Sequence, residues 1–140
     1  MSDKPVSLSS LITESKTVGI DFPGFPGCSV ELCYLGKSEL LKLRKRSLKT
    51  NWDKKTRQPL EELDEDKFIQ EYSKAVIKGW KGLKYRYLEE LLLVDIAELD
   101  PEGELPFTLE NAELLMTNSN AFDTWVTDTV SELENFTGSK

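Results

Sequence analysis

The sequence has 140 residues, a formal net charge of −7 and a sequence pI near 4.7. Hydrophobic residues make up 39% of it, with three Trp, six Phe and four Tyr, which is enough for the core of one domain. No apolar run approaches the roughly 20 residues of a membrane-spanning helix, and the N-terminus lacks the apolar block of a signal peptide. We therefore expect a protein that is neither secreted nor membrane-inserted.

Histidine is absent from the sequence. Its absence removes the commonest general base and metal ligand, and with them most hydrolase and metalloenzyme classes. Cys28 and Cys33 are too few for a structural zinc site, which takes four ligands, so we expect reduced, packed thiols. Gly36-Lys37-Ser38 is not a phosphate-binding loop, because Glu31 stands where the motif needs glycine. We expect no catalytic residues, no metal and no cofactor.

The N-terminal part of the chain predicts a loose arm and then a small hairpin. Residues 1–16 are rich in Ser and predict the arm. Segments 17–22 and 29–35 carry apolar residues at alternate positions, which predicts two strands. The two Pro-Gly pairs between them predict a turn, so the strands form an antiparallel hairpin.

A basic amphipathic helix is predicted next. Ser38 is a typical N-cap, and the helix is expected from Glu39 to about Leu48. The polar stretch 51–58 predicts a loop. Trp52 lies in this polar context, and we expect it at an interface.

The clearest helical pattern begins at Asp64, an N-cap followed by acidic residues in the first turn. Apolar residues then recur at helical spacing, and the helix is expected to end at Gly79 and Gly82 through left-handed geometry. The residues of this apolar stripe are Phe68, Ile69, Tyr72, Ala75, Val76 and Trp80.

Three further helices are predicted in the C-terminal half. Residues 85–93 favour a helix, whereas periodicity leaves helix and strand undecided over 88–99. Thr108 is the N-cap of a short helix over 109–116. The segment 118–120 caps the last helix, which ends before Gly138. Its apolar residues at helical spacing are Phe122, Trp125, Val126, Val130, Leu133 and Phe136.

Together these elements predict a mainly α fold of the α+β class. It has about five helices in one domain and a small N-terminal antiparallel β-hairpin. The domain spans residues 17–136, between the flexible arm 1–16 and a short tail 137–140. Within it, a place in the core is the leading interpretation for Trp80 and Trp125.

Charge is distributed unevenly along the chain. Residues 37–57 include nine basic and two acidic residues, whereas residues 88–136 include thirteen acidic and no basic ones. The basic segment fits a solvated helix face, a surface that docks acidic protein, or a nucleic-acid patch. The net charge of −7 disfavours nucleic acid. Contact between the basic face of one copy and the acidic face of another is head-to-tail, which builds rings or filaments.

Three segments, in this order, resemble the tail assembly chaperones of long-tailed bacteriophages. The first is Val76–Leu83 with its Trp80-Lys81-Gly82 end. The others are Leu105–Leu115, which begins Leu-Pro-Phe-Thr, and Asn118–Val126, which contains Phe122 and Trp125. The similarity runs from about residue 17 to residue 136.

The resemblance implies a mainly helical, non-enzymatic protein of the host cytoplasm that is absent from the mature virion. Such chaperones bind the tape measure protein, keep it soluble and help to recruit tail tube subunits. Many have a longer form made by translational frameshift, which here would begin after residues 137–140. We also expect a homo-oligomer with head-to-tail contacts. The residues expected to contact partners are Lys42, Arg44, Lys45, Arg46, Trp52, Trp80, Phe107, Phe122 and Trp125.

Two other functions fit the same features. A small nucleic-acid-binding regulator would use the basic segment 37–57 and would be retained on heparin. A virion head–tail connector would be found in purified particles.

Overall fold

The computed structural model describes residues 6–12, 16–132 and 135–137. Within these residues the chain forms six helices and five strands. Their order is α1 (Leu8–Leu11), β1 (Thr17–Asp21), β2 (Ser29–Cys33), α2 (Lys37–Arg46), β3 (Leu48–Asp53), β4 (Gln58–Leu63), α3 (Glu65–Val76), β5 (Ile77–Lys81), α4 (Tyr85–Leu91), α5 (Leu109–Asn118) and α6 (Asn120–Ser131).

The central strand of the main sheet is β2. It pairs antiparallel with β1, as the alternating pattern predicts, and antiparallel with β5 on its other side. Val30 lies opposite Trp80, and Leu32 lies opposite Ile77. Val30 and Leu32 are completely buried, because the helices α3 and α6 pack on β2.

The prediction of a mainly α fold with one small hairpin is wrong, because the described residues contain two antiparallel sheets. The first difference is β5. The apolar spacing continues past Val76 at helical period, but α3 ends there and the backbone of the next five residues pairs with β2. A helical pattern read locally cannot detect this pairing, because its partner strand lies more than forty residues away.

The second difference is a hairpin made by β3 and β4, where the sequence predicts a loop over 51–58. Their six residue pairs run from Leu48 opposite Leu63 to Asp53 opposite Gln58. Ten of the twelve strand residues are exposed, and the other two are half-buried. A strand exposed on both faces lacks the alternation of apolar and polar residues by which strands are recognised.

The helices begin largely where their caps predict. The side chains of Asp64, Thr108 and Ser119 accept hydrogen bonds from backbone N–H groups three residues later, which confirms all three N-caps. The predicted cap at Ser38 is wrong, since α2 starts at Lys37 after Gly36. The helix expected over 85–93 is present as α4, and residues 92–99 form neither helix nor strand.

The helices cover the sheet and one another. α3 packs against α2, α5 and β2, while α6 packs against α4, α5 and β2. The fully or nearly fully buried residues between them include Val30, Leu32, Val76, Ile77, Leu83, Ala112, Leu115, Phe122, Val126 and Val130. The predictions that involve Leu133 and Gly138 lie outside the described residues.

The segment after β5 packs closely against the turn between β1 and β2. The predicted helix end at Gly79 and Gly82 is wrong, because α3 ends at Val76 and is followed by Ile77 in extended geometry. Gly82 has a φ of +72°, but it follows β5 and not a helix. A Cβ atom at Gly82 would lie 2.0 Å from the carbonyl oxygen of Gly27. Only glycine fits this contact without a backbone shift.

Candidate functional site

Four of the aromatic residues expected to contact partners form one internal cluster. Phe122 is completely buried, and the Trp80 ring lies edge-on to Phe107 with 4.9 Å between centroids. The Trp80 indole N–H donates to the Leu105 carbonyl oxygen at 2.9 Å. Trp125 is half-buried, and the centroid of its ring lies 6.3 Å from that of Phe122. These contacts use the rings in internal packing, so they leave little aromatic surface for a partner.

The other predicted contact residues lie on the surface. Lys42, Arg44, Lys45 and Arg46 are all exposed on α2, and Trp52 is 64% exposed on β3. Three of the basic side chains have weak surface contacts: Lys42 Nζ lies 3.4 Å from Glu39 Oε1, Arg46 Nε lies 3.6 Å from Glu71 Oε1, and Arg44 Cζ lies 5.3 Å from the Phe68 ring centre. Exposed pairs of this kind contribute little to stability, so these cations remain accessible to a partner.

Trp52 lies on a mixed face of the β3–β4 hairpin, where Thr50 opposite Glu61 separates two apolar pairs. It lies directly opposite Pro59, and Leu48 on the same face lies opposite Leu63. The hairpin's main contacts are between its own strands. Because 64% of its surface is exposed, the Trp52 side chain is available for contact with another molecule.

An uncovered apolar groove lies between the end of α4 and α5, and we call it the leucine groove. Its volume is about 540 Å³. Leu93 is fully exposed and Leu114 is 49% exposed at its surface, while Leu88 and Leu115 are buried at its base. The lining residues are Leu88, Leu92, Leu93, Val94, Leu105, Asn111, Leu114, Leu115 and Asn118.

A second groove, which we call the aromatic groove, lies between α2, α3 and α6 and has a volume of about 320 Å³. Its lining includes two residues of opposite charge, Arg44 from α2 and Asp123 from α6. Burial raises the pKa of Tyr72 within the groove; a hydrogen bond with Thr127 opposes this shift, and the charge of Asp123 adds to it. The apolar lining residues are Leu35, Leu40, Phe68, Ile69, Met116 and Val130.

The sequence contains a local signal for the leucine groove that belongs to no known motif. Residues 91–94 are four consecutive large apolar residues, more than one helical face can bury. Leu88 and Leu91 face the core. The chain leaves the helix at Leu92, which puts Leu93 and Val94 at the surface. Leu114 comes from a helix twenty residues later, so only the packing of α5 reveals the groove.

The described residues contain no group of three or more Cys, Asp or Glu side chains that could hold a metal ion. Both thiols are free and buried. Burial, with a smaller contribution from Glu104, raises the pKa of Cys28 to about 11, so this thiol is protonated at neutral pH. No helix in the described parts of the chain is long and apolar enough to cross a membrane.

The fold and the grooves define a small α+β domain whose recognisable surface features are apolar grooves and patches of opposite charge. Residues 35–140 match the YdaY prophage protein family, and the chain belongs to this family. The expectation of a bacteriophage protein is thereby confirmed, whereas the family match does not specify a tail assembly chaperone. Neither a curated protein nor a solved structure matches the chain.

Proposed function

We propose that this protein is a tail assembly chaperone that binds the tape measure protein, keeps it soluble and helps to recruit tail tube subunits. In this role it acts by binding alone, without catalysis, and leaves before the virion is complete. Two observations support the proposal: the membership of a prophage protein family and the uncovered leucine groove.

The leucine groove is the observation that carries the proposal. A monomeric protein rarely leaves a continuous apolar surface exposed unless the surface binds another molecule. Helices with apolar residues at positions i, i+3, i+4 and i+7 bind in grooves of this kind. An apolar helix of the tape measure protein would replace water around Leu93 and Leu114, while the net charge of −7 keeps the complex soluble.

Co-expression with the tape measure protein of the same prophage tests the proposal. We expect the wild-type chaperone to move the tape measure protein from the insoluble to the soluble fraction. The double variant Leu93→Asp/Leu114→Asp should fail, because it places two carboxylates where the client helix packs. Leu60→Asp is the control, since Leu60 on β4 lies outside the groove and is about as exposed as Leu114.

Two results would contradict the proposal. One is a tape measure protein that stays insoluble beside wild-type chaperone at equal expression. The other is equal solubilisation by the wild type and by the groove double variant, with both folded by circular dichroism.

The other two functions make different predictions. A nucleic-acid-binding regulator would bind heparin and duplex DNA through residues 37–57, with affinity that falls steeply as salt increases. A head–tail connector would be present in purified virions. Mass spectrometry of purified particles and a DNA mobility-shift assay therefore separate the three functions.

A further inference from the structure

Two asparagine side chains interrupt the apolar lining of the leucine groove. Asn111 lies in the first turn of α5 and Asn118 is its last residue, and both line the groove together with Leu114 and Leu115. These four residues have the spacing i, i+3, i+4 and i+7, so they form one stripe along α5. The two amide groups are therefore about two helical turns apart, at opposite ends of the stripe.

Each of these amides donates a hydrogen bond through its nitrogen. Asn111 Nδ2 donates to the Pro106 carbonyl oxygen at 3.0 Å, and Asn118 Nδ2 donates to the Leu114 carbonyl oxygen at 2.9 Å. A carbonyl oxygen only accepts, so both side chains are held with the amide nitrogen toward the backbone. Among the described residues no donor bonds to either Oδ1 atom. Asn111 is half-buried and Asn118 is exposed, so water can hydrate these oxygens in the free protein.

These two oxygens restrict the kind of helix that can cover the groove. An entirely apolar helix would remove their water and provide no donor in return, and a desolvated acceptor without a partner is costly. A charged donor would lose its own hydration, and the lining residues that the structure describes include no charged side chain to compensate it. Neutral N–H donors among apolar side chains avoid both costs.

We propose that Asn111 and Asn118 set the register of the helix that binds the leucine groove, and that this helix carries two carboxamide side chains seven residues apart on its apolar face. The inference rests on the proposed function, since it names the chemistry of the client helix. Helices that pack side by side repeat their contacts every seven residues, so a helix along α5 brings one donor to each oxygen. A buried Asn fixes the register of coiled coils in the same way, because only one alignment pairs the polar groups.

Designed peptides test this chemistry without the tape measure protein. Two fluorescently labelled amphipathic peptides of three heptads have leucine on the apolar face and differ only at two positions of that face, seven residues apart. One carries Gln at both positions, and the other carries Met, which has nearly the shape of Gln but no donor. We expect the wild-type protein to bind the Gln peptide about tenfold more tightly by fluorescence anisotropy, because Met leaves both oxygens unpaired. The variant Leu93→Asp/Leu114→Asp should bind neither peptide.

A third peptide tests the register. Its two glutamines lie four residues apart on the same apolar face, so only one of them can reach an Asn oxygen in any alignment. We expect its affinity to lie between those of the other two peptides. Equal affinity for the two Gln peptides would contradict the role of the two asparagines in setting the register.

Substitution of the asparagines tests the same contacts from the side of the protein. Leu has nearly the shape of Asn without its polar atoms, so Asn118→Leu should reduce the preference for the Gln peptide by about fivefold. Asn111→Leu/Asn118→Leu should reverse the preference, because both glutamines then lack a partner. Asn120→Leu is the matched control, since Asn120 is an exposed asparagine on α6 outside the groove, and it should bind like the wild type. Circular dichroism checks that each variant is folded.

Three results would overturn the proposal. The first is a wild-type protein that binds the Met peptide at least as tightly as the Gln peptide, or binds no Gln peptide. The second is a preference that Asn118→Leu leaves unchanged. The third is equal binding of the Gln peptide by the wild type and by the groove double variant. Co-expression depends on the tape measure protein and the peptides do not, so failure of the register contacts is distinguishable from failure of the proposed function.

Discussion

Ser47 and Ser73 are both essentially completely buried, but their hydroxyl groups differ. The Ser47 hydroxyl donates to the Leu43 carbonyl oxygen at 2.9 Å, at the end of α2. Among the described residues, the Ser73 hydroxyl in α3 has no hydrogen-bond partner. A buried hydroxyl without a partner loses its hydration without compensation, whereas a bonded one does not.

We therefore predict opposite effects for the same substitution at these two sites. Ser73→Ala should raise the free energy of unfolding by about 1 kcal/mol, because it removes an unpaired buried hydroxyl. Ser47→Ala should lower it by about 1 kcal/mol, because it removes a buried hydrogen bond. Urea denaturation monitored by circular dichroism measures both. A shift in the same direction for both variants would contradict the assignment of their hydrogen bonds.

The β3–β4 hairpin carries local backbone strain at its turn. Arg57 has a φ of +57°, and its N–H donates to the Asp53 carbonyl oxygen at 2.7 Å. Hydrogen bonds from the Lys55 N–H and from Thr56 lower the pKa of Asp53, so its carboxylate, which supports the turn, is charged at neutral pH. Left-handed backbone geometry is energetically costly for a residue with a Cβ atom. Arg57 has this geometry in a hairpin that packs little against the rest of the protein, so few contacts offset the cost.

Arg57→Gly should therefore stabilise the hairpin. We expect a gain of about 0.5–1 kcal/mol, which is the left-handed cost removed less the entropy that glycine loses on folding. Native-state hydrogen exchange gives the measurement, with slower exchange of the β3 and β4 amides and unchanged exchange in α5 and α6. Lys54→Gly, at a neighbouring turn residue without positive φ, is the control and should accelerate exchange. A hairpin that exchanges faster in Arg57→Gly would refute the strain argument.

At the scale of the molecule, the family match and the hydrophobic core do not coincide. The match begins at residue 35, but residues before it contribute side chains to the core. The residues buried between the sheet and the helices include Phe22, Val30 and Leu32 from outside the matched region. The Tyr87 hydroxyl donates to the Pro26 carbonyl oxygen, which joins α4 to the turn before β2. Without β2, the strand β5 has no partner in the sheet.

We predict that two N-terminal truncations behave differently. Removal of residues 1–16 should leave the cooperative unfolding transition in place, because the described residues of this segment before Thr17 are exposed. Removal of residues 1–34 should abolish the transition, because it removes the central strand and its buried side chains. Thermal unfolding followed by near-ultraviolet circular dichroism provides the comparison. A sharp transition in the shorter chain would show that the matched region folds alone.

Local sequence was sufficient to predict the features whose causes lie within a few residues. The caps at Asp64, Thr108 and Ser119 depend on a side chain and an N–H group three residues apart, and the first hairpin depends on two Pro-Gly pairs between alternating strands. The uneven distribution of charge is likewise a property of the sequence itself. None of these features depends on residues that are distant in the sequence.

The tertiary structure alone decided the rest, because the remaining features depend on residues far apart in the chain. Residues 77–81 fit a helical stripe, yet their backbone groups gain hydrogen bonds to β2 and become a strand. Phe122 and Trp52 are both aromatic, but packing buries the first and leaves the second exposed. The leucine groove exists only where α5 is brought beside the end of α4, since a hydrophobic residue becomes core or surface according to what covers it.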